Sequence, residues 1–237
     1  GILTDEQTGG LALKFGDGEL VVSLIDKIAK REGIGDLLAE GSRVMSQKLG
    51  QGSAHFAMHV KGLELPAYDP RGSTGMALAY ATSDRGGCHL RSWPIGDELL
   101  ATEGRMDLVS LEFKAELVKT QQDLFGMVNC SGMCLFATFA VNLKQITPFL
   151  QTVTGLDVYS SSEEVMKVGE RVNNLVRLFN IREGLTRDLD TLPKRFTHEP
   201  LKEGASKGQV VPVDRMVKEY YKIKGWDEEG VPPSEVR

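Results

Sequence analysis

The sequence predicts a mainly α-helical fold, and three observations lead to this prediction. Apolar residues recur at helical spacing in several stretches of the chain, whereas alternating strand patterns are few. Residues that commonly cap helices, Asp17 and Ser161, precede two of these stretches. The 237 residues are enough for one large domain or two modest ones with a sizeable buried core.

The first long helix is predicted for residues 19–32, whose apolar side chains fall on one face. That face consists of Leu20, Val21, Leu24, Ile25 and Ile28. Asp17 is a suitable N-cap, because its carboxylate can accept a hydrogen bond from the first turn. The glycines in residues 33–35 end this helix, and Asp36 is predicted to cap a second one that runs to about residue 49.

Residues 55–60 alternate apolar and polar side chains, which favours a short strand. On a helix, His55 and His59 would be neighbours that could bind a metal, whereas on the preferred strand they are polar edge residues. Residues 62–75 contain two prolines and three glycines and are predicted to be irregular. A boundary in this part of the chain is predicted to separate a piece that ends near residue 60 from a larger domain, residues 61–237.

Three helices are predicted in the middle of the larger domain. Residues 76–83 form a short helix, and residues 108–125 form a long one with apolar positions roughly in phase. Residues 134–142 are apolar nearly all round, which predicts a buried helix.

The last part of the chain carries a clear helix start. Ser161 and Glu164 stand at capping-box spacing and open a helix with an apolar stripe. The stripe consists of Val165, Val168, Val172, Leu175, Val176 and Phe179. From about residue 192 the chain is rich in Pro, Gly and Lys, and it is predicted to be an extended tail that ends in a short helix, residues 214–224.

Composition narrows the class of protein. A net charge of −5 and a pI of about 5.5 weigh against a nucleic-acid partner or an anionic membrane surface, since both select basic patches. No run of 18 apolar residues predicts a transmembrane helix. Three cysteines, Cys88, Cys130 and Cys134, fit a reducing compartment, so a cytoplasmic location is expected. The chain starts without Met and without a signal-peptide pattern, which favours a fragment or a missing upstream part.

Three segments combine glycines with polar residues that a packed core does not need: residues 65–72, 81–91 and 129–134. Glycines allow backbone amides to approach a polyanionic ligand closely. Arginines can add charge-assisted bonds to phosphate, and the candidates are Arg71, Arg85 and Arg91.

His89 and Cys134 are the side chains in these segments with the clearest chemistry. His89 follows a glycine pair, where a proton-transfer group could reach a substrate, although a structural histidine is the commoner case. A Cys134 thiolate would be stabilised by a metal or by the start of the predicted buried helix, although such a cysteine is usually a small core residue. Cys130 and Cys134 alone are a weak metal signal.

At these segments the sequence resembles the tungsten-containing aldehyde:ferredoxin oxidoreductase family, and the matching strings occur in the family's order. The strings are GILTDEQTGGLALKFGD, AKREGIGDLLAEG, KGLELPAYDPRG, ATSDRGGCHLR, the Gly132-Met133-Cys134 segment and FNIREGLTRDLDTLPKRF. The resemblance therefore covers essentially the whole chain.

The resemblance implies a fold, cofactors and an activity. Family members hold tungsten between two pterins beside a [4Fe–4S] cluster, and they oxidise aldehydes to carboxylic acids with ferredoxin as electron acceptor. A β-rich pterin-binding domain precedes two mainly helical domains. By resemblance, residues 1–60 end helical domain 2 and residues 61–237 form helical domain 3. The expected partners are ferredoxin, a small aldehyde, the missing N-terminal pterin-binding domain and a second copy in a homodimer.

The resemblance also assigns roles to individual residues. Cys134 matches the last of four cluster cysteines, at the end of an Asp-x-x-Gly-Leu-Cys pterin motif that includes Gly132. His89 matches a histidine proposed to assist proton transfer near the metal, and Arg91 matches a basic residue that contacts a pterin. Asn129 and Met133 replace the motif's Asp and Leu. Since an amide offers one acceptor oxygen where a carboxylate offers two, the pterin contact of Asn129 is expected to differ.

Other cluster ligands of the family lie upstream of this sequence, so the isolated chain is expected to be incomplete. One cysteine cannot hold a cubane that needs four ligands. Three functions stay open: aldehyde oxidation, reduction of an aromatic thioester as in a related tungsten subunit, and a cofactor-free helical interaction module. The choice between tungsten and molybdenum also stays open.

Overall fold

The computed structural model describes residues 2–100 and 107–234, and this part of the chain is mainly helical, as predicted. The helices are α1 (Asp5–Thr8), α2 (Gly18–Lys30), α3 (Ile34–Leu38), α4 (Gly41–Leu49), α5 (Thr74–Thr82), α6 (Pro94–Leu100), α7 (Lys114–Cys130), α8 (Leu143–Thr154), α9 (Ser162–Arg182), α10 (Lys194–His198) and α11 (Val213–Lys224). Short 3-10 turns lie at Ser53–Phe56, Pro70–Gly72, Leu135–Phe139, Asp157–Tyr159 and Arg187–Leu189.

The sheet that the described residues contain is a two-stranded antiparallel hairpin. Strand β1 (His59–Val60) pairs with β2 (Leu63–Glu64), so that Val60 lies opposite Leu63. Leu65 then donates its N–H to the Met58 carbonyl at 3.0 Å and extends the pairing by one bond.

Helix α5 is the centre of the main core, and each of its residues is buried. Its start is fixed by Ser73, whose hydroxyl accepts a hydrogen bond from Met76 N at 3.2 Å. The small side chains Ala77, Ala79 and Ala81 allow other helices to approach closely, and α5 packs against both α7 and α11. The predicted helix at 76–83 is therefore confirmed, with a start two residues earlier.

The longest helices, α7 and α9, pack against each other at a pair of glycines. A Cβ on Gly169 of α9 would overlap the Asp123 carbonyl of α7, and a Cβ on Gly126 would lie 3.2 Å from the Gly169 carbonyl oxygen. A second core cluster forms beside this crossing from Met127, Val128, Ile146 and Val165. The backbones of α7 and α9 can therefore come closer than side chains would allow.

Two of the three predicted helix N-caps, Asp17 and Ser161, are confirmed. Asp17 accepts a hydrogen bond from Leu20 N at 2.9 Å, and Ser161 accepts one from Glu164 N at 3.2 Å. The apolar stripes that these caps precede are only partly covered. Exposed members are Val21, Ile25, Leu175 and Phe179.

Two predictions for the first 60 residues are wrong. Asp36 is not an N-cap: it lies inside α3, pairs with Arg31 at 2.9 Å, and α4 begins separately at Gly41. The strand predicted at 55–60 forms only at its end, His59–Val60, because residues 55 and 56 belong to the 3-10 turn Ser53–Phe56. Ser53 at the start of this turn donates its hydroxyl hydrogen bond back to the Ser46 carbonyl at 2.9 Å.

The predicted helix at 108–125 is shifted. Helix α7 begins at Lys114, because the carbonyls of Leu108 and Ser110 instead accept hydrogen bonds from Thr74 at 2.8 and 2.6 Å. It continues to Cys130 and so reaches the third glycine-containing segment.

The predicted buried helix at 134–142 is wrong. Asn142 forms a capping box with Gln145 that starts α8, which leaves room only for the exposed 3-10 turn Leu135–Phe139. Phe136 and Phe139 of this turn are both exposed. Helices α6, α8 and α10 were not predicted.

The C-terminal part packs onto the main core. Helix α11 confirms the predicted short helix, and its Val217 and Tyr220 are buried against the α5 cluster. In residues 2–100 and 107–234, no helix combines the length and the apolarity needed to cross a bilayer. The domain boundary near residue 60 stays a prediction.

Candidate functional site

The loop that follows α5, residues 84–91, carries His89 and is held against the hairpin. Gly87 donates its N–H to the Val60 carbonyl at 3.3 Å, and a Cβ on Gly86 would overlap the same carbonyl oxygen. Gly86 also has a φ of 101°, which favours glycine. The glycine pair therefore allows the loop to pack on β1, and the approach of a polyanionic ligand to these glycines stays a prediction.

The sulfur of Cys88 closes a tight turn around His89. Cys88 Sγ lies 2.7 Å from Arg85 Nη2 and 3.2 Å from Leu90 N, and the residue is buried. The two N–H groups come from residues on either side of His89 in the sequence. Cys88 thus stabilises the loop conformation from which the His89 side chain projects.

Two of the three candidate phosphate ligands are used within the protein. Arg85 contacts the Cys88 sulfur, as above. Arg71 binds the Asp69 carboxylate at 2.7 Å and donates to the Glu199 carbonyl at 2.9 Å, which joins this segment to the C-terminal tail. Their guanidinium groups therefore have structural partners, as Arg91 has in Asp84, and a role for them as phosphate ligands stays a prediction.

His89 is half-buried, and its ring centroid lies 6.0 Å from that of Tyr68. Burial lowers the pKa of the His89 imidazole, and the nearby Arg85 guanidinium lowers it further. A lowered pKa keeps the ring neutral near pH 7, so it is able to accept a proton from a reacting group.

Arg91 and the 129–134 segment meet at one small cavity. The cavity has a volume of about 100 Å³, and Arg91, Asn129 and Cys130 all line it. Arg91 Nε lies 3.0 Å from Asp84 Oδ1, and both side chains are half-buried. The fold therefore brings together two segments that the sequence analysis singled out separately.

The 129–134 segment forms the exposed end of α7 and the turn after it. Gly132 has a φ of 72° and open space where a side chain would point. Met133 packs on the second core cluster and anchors the turn, whereas Asn129 and Cys134 are exposed. Cys134 precedes a 3-10 turn, so the expected stabilisation of its thiolate by the start of a buried helix is absent.

His55 and His59 do not form a metal site with each other. His55 Nε2 lies 2.7 Å from Glu199 Oε1, and His59 Nδ1 accepts a hydrogen bond from Gly62 N at 3.3 Å. Among the residues that the structure describes, no group of three or more His, Cys, Asp or Glu side chains is arranged to hold a metal ion.

The sequence of the whole chain matches one family profile. The profile is described as "Aldehyde ferredoxin oxidoreductase, domains 2 & 3", and it matches residues 1–237. The chain belongs to the aldehyde ferredoxin oxidoreductase family.

Two similar family members are the tungsten-containing aldehyde ferredoxin oxidoreductases of Pyrococcus horikoshii and Pyrococcus furiosus. Each is 42% identical to the chain over 99% of its length. The chain spans only 39% of the length of these relatives. A more distant relative, 29% identical over the whole chain, is the aliphatic sulfonate oxidoreductase WOR-like subunit of Pyrococcus furiosus; the chain spans 36% of it.

A solved structure supports the fold. The chain is similar to a chain of the active site complex BamBC of benzoyl coenzyme A reductase, with a TM-score of 0.71 and 22% sequence identity. The similarity covers 99% of this chain and 40% of that one. The helical arrangement is therefore that of aldehyde ferredoxin oxidoreductase domains 2 and 3.

The residues of this aldehyde ferredoxin oxidoreductase chain fit one part of the family's cofactor site. Cys134 offers an accessible soft sulfur ligand, and Asn129 of the same segment and Arg91 offer an amide and a guanidinium at the cavity. Within residues 2–100 and 107–234, Cys134 belongs to no group of three or more side chains that could hold a metal ion. The remaining ligands of a four-cysteine cluster would have to come from outside this part of the chain.

Sequence reasoning missed two residues close to these groups. Asp84 pairs with Arg91, and the hydroxyl of fully buried Tyr80 has no hydrogen-bond partner among the described residues. Burial raises the pKa of Tyr80, and the nearby Tyr68 and Cys88 raise it further. In the sequence, Asp84 and Arg91 stand at the two ends of a glycine-containing loop, and this placement of opposite charges could have predicted the ion pair.

Proposed function

We propose that the chain is the C-terminal helical part of a tungsten-bispterin, [4Fe–4S] oxidoreductase that oxidises aldehydes to carboxylic acids. Ferredoxin is the proposed electron acceptor. The observation that carries the proposal is the meeting of Arg91 with Asn129 and Cys130 at one cavity, with exposed Cys134 in the same segment. One residue from each of two segments that resemble the family, Arg91 and Asn129, thus lines the same cavity, which supports the proposal.

When bound, the tungsten-bispterin group and the cluster supply the two-electron oxidation and the single-electron transfers. The residues of this chain are proposed to hold these cofactors and to orient them. Cys134 is the proposed cluster ligand, since its thiol is accessible and its turn is anchored by Met133. Asn129 and Arg91 are the proposed pterin contacts, and Gly132 leaves the space in front of the turn open.

His89 is the proposed proton-transfer residue. Burial and Arg85 favour its neutral form, which accepts a proton released when an aldehyde becomes a carboxylic acid. The Cys88 turn and the packing of Gly86 on Val60 hold the loop, so the imidazole is presented from a fixed backbone.

Replacing Cys134 with serine tests the cluster assignment. The chain, co-produced anaerobically with a polypeptide that supplies domain 1 of the family, is expected to contain tungsten and about four irons for one cubane cluster. Cys134→Ser is expected to lose most of the iron, because a neutral serine hydroxyl is a poorer ligand for cluster iron than a cysteine thiolate. Metal analysis by mass spectrometry measures the change.

Cys130→Ser is the matched control, because Cys130 is also exposed and lies four residues before Cys134, at the end of α7. It is expected to retain iron. Equal iron in the Cys134→Ser variant and the parent would refute the ligand role. No metal in the parent protein would instead refute the proposed function and favour a cofactor-free helical module.

Replacing His89 with alanine tests the proton-transfer role. The variant is expected to keep its tungsten and to lose aldehyde oxidation by about a hundredfold or more, the usual contribution of a positioned acid or base. Steady-state kinetics with a dye or ferredoxin acceptor measure kcat. His55→Ala is the control, because the exposed His55 ring contacts Glu199 instead, with His55 Nε2 2.7 Å from Glu199 Oε1. An unchanged kcat in the His89→Ala variant would exclude this role.

A further inference from the structure

The loop that carries His89 is closed at its base by an ion pair. Asp84 lies at its start and Arg91 at its end, and Asp84 Oδ1 is 3.0 Å from Arg91 Nε. The exposed fractions of the two side chains are 28% and 34%, so the pair is partly shielded from water. Arg91 Nε lies within hydrogen-bond distance of Asp84 Oδ1, but the two groups are not aligned for a hydrogen bond. The contact is therefore mainly electrostatic.

Asp84 is the fixed member of the pair. Its backbone carbonyl accepts a hydrogen bond at 2.7 Å from Asn180 Nδ2 of α9. Nearly buried Lys61 also feels the Asp84 charge: burial lowers the pKa of Lys61, while Asp190 and Asp84 oppose that shift. The Asp84 backbone is thus bonded to a long, well-packed helix.

Arg91 is the member that needs to be held. An arginine side chain has about 2 kcal/mol of rotamer entropy, and Arg91 is partly exposed at the rim of the cavity. The contact with Asp84 engages Nε and leaves the two Nη groups for other partners. Asp84 lines the same cavity as Arg91 and Asn129, so the pair lies at the region proposed for the pterin.

We infer that Asp84 is a positioning residue that holds the Arg91 guanidinium at the cavity shared with Asn129. The inference rests on the proposed function for its catalytic meaning, but the positioning itself is a property of this chain. A small displacement of a group that orients a reacting molecule can reduce a rate by up to about a hundredfold. The role of Asp84 is thus orientation, since ion pairs near the surface add only about 0–1 kcal/mol to stability.

The first test measures Arg91 directly in the 237-residue chain, without cofactors. Nitrogen-15 NMR detects the Nε–H signal of Arg91, which is assigned by its loss in Arg91→Lys. We expect Asp84→Asn to move this signal and to speed its exchange with water at least about threefold. Asp26→Asn is the matched control, since it removes the exposed ion pair with Lys30 at 2.7 Å. An Arg91 signal that is unchanged in Asp84→Asn would overturn the inference.

The second test uses the cofactor-loaded enzyme and asks whether Asp84 acts through Arg91. We expect Asp84→Asn and Arg91→Gln each to reduce kcat roughly tenfold or more, and the double variant to be no slower than Arg91→Gln alone. Asp84→Glu is expected to restore part of the rate. Multiplicative effects of the two changes would show that Asp84 acts independently and would overturn the inference.

The two tests also separate this inference from the proposed function. A parent enzyme without tungsten would refute the proposed function, while the NMR comparison would still decide whether Asp84 holds Arg91. A tungsten-containing, active parent with an unmoved Arg91 signal in Asp84→Asn would refute only the positioning role.

Discussion

Replacing Gly169 with alanine is expected to force α9 away from α7 and to destabilise the chain strongly. The added Cβ would overlap the Asp123 carbonyl oxygen, which belongs to the backbone and cannot rotate away. Overpacking in a core costs about 1–3 kcal/mol when side chains can adjust. Here a helix must move instead, so we expect a loss of at least about 3 kcal/mol.

The consequence extends to the candidate site, because α7 ends at Cys130 and supplies Asn129. Urea unfolding followed by circular dichroism measures the stability of the variant. Gly18→Ala is the matched control: Gly18 also lies in a helix, and a Cβ there would meet nothing within 4 Å. If Gly169→Ala unfolds at the same urea concentration as the parent, the close approach of α7 and α9 is refuted.

Replacing Asp190 with asparagine is expected to destabilise the chain by about 3–5 kcal/mol, the cost of leaving buried charges unpaired. The Asp190 side chain is fully buried and lies 2.8 Å from Lys61 Nζ and 2.7 Å from Arg177 Nη1. Tyr221 donates its hydroxyl hydrogen bond to the same carboxylate. Asparagine has nearly the same shape, so the change removes the negative charge while preserving the volume of the side chain.

Thermal and urea unfolding of the Asp190→Asn variant measure this effect. Asp188→Asn is the matched control, because Asp188 lies two residues away and is exposed. The control is expected to change stability by less than about 0.5 kcal/mol. A loss below about 1 kcal/mol in Asp190→Asn would mean that the two cations find other partners or water. These buried ion pairs also give a physical reason for the charged residues in the string FNIREGLTRDLDTLPKRF, residues 179–196, which contains Asp190.

Local structure was predictable where neighbours in the sequence decide it. Asp17 and Ser161 cap helices because an N-cap bonds to an amide three residues away, which requires no tertiary contact. The same local rule would have revealed α8, since Asn142 and Gln145 form a capping box that the sequence analysis overlooked. The resemblance at His89, Arg91 and Cys134 likewise depended only on the order of residues.

Tertiary contacts decided what those local patterns could not. The start of α7 depends on Thr74, which lies far away in the sequence and binds the Leu108 carbonyl.

The sequence by itself determined that the chain is mainly helical, that it resembles the aldehyde ferredoxin oxidoreductases, and which residues are candidates for chemistry. The tertiary structure alone decided how these residues are used. Gly86 packs on Val60, Arg85 contacts the Cys88 sulfur, and Arg91 pairs with Asp84. Each of these contacts depends on how the loop after α5 folds back, because a charge or a thiol takes its role from the groups that lie within a few ångströms of it.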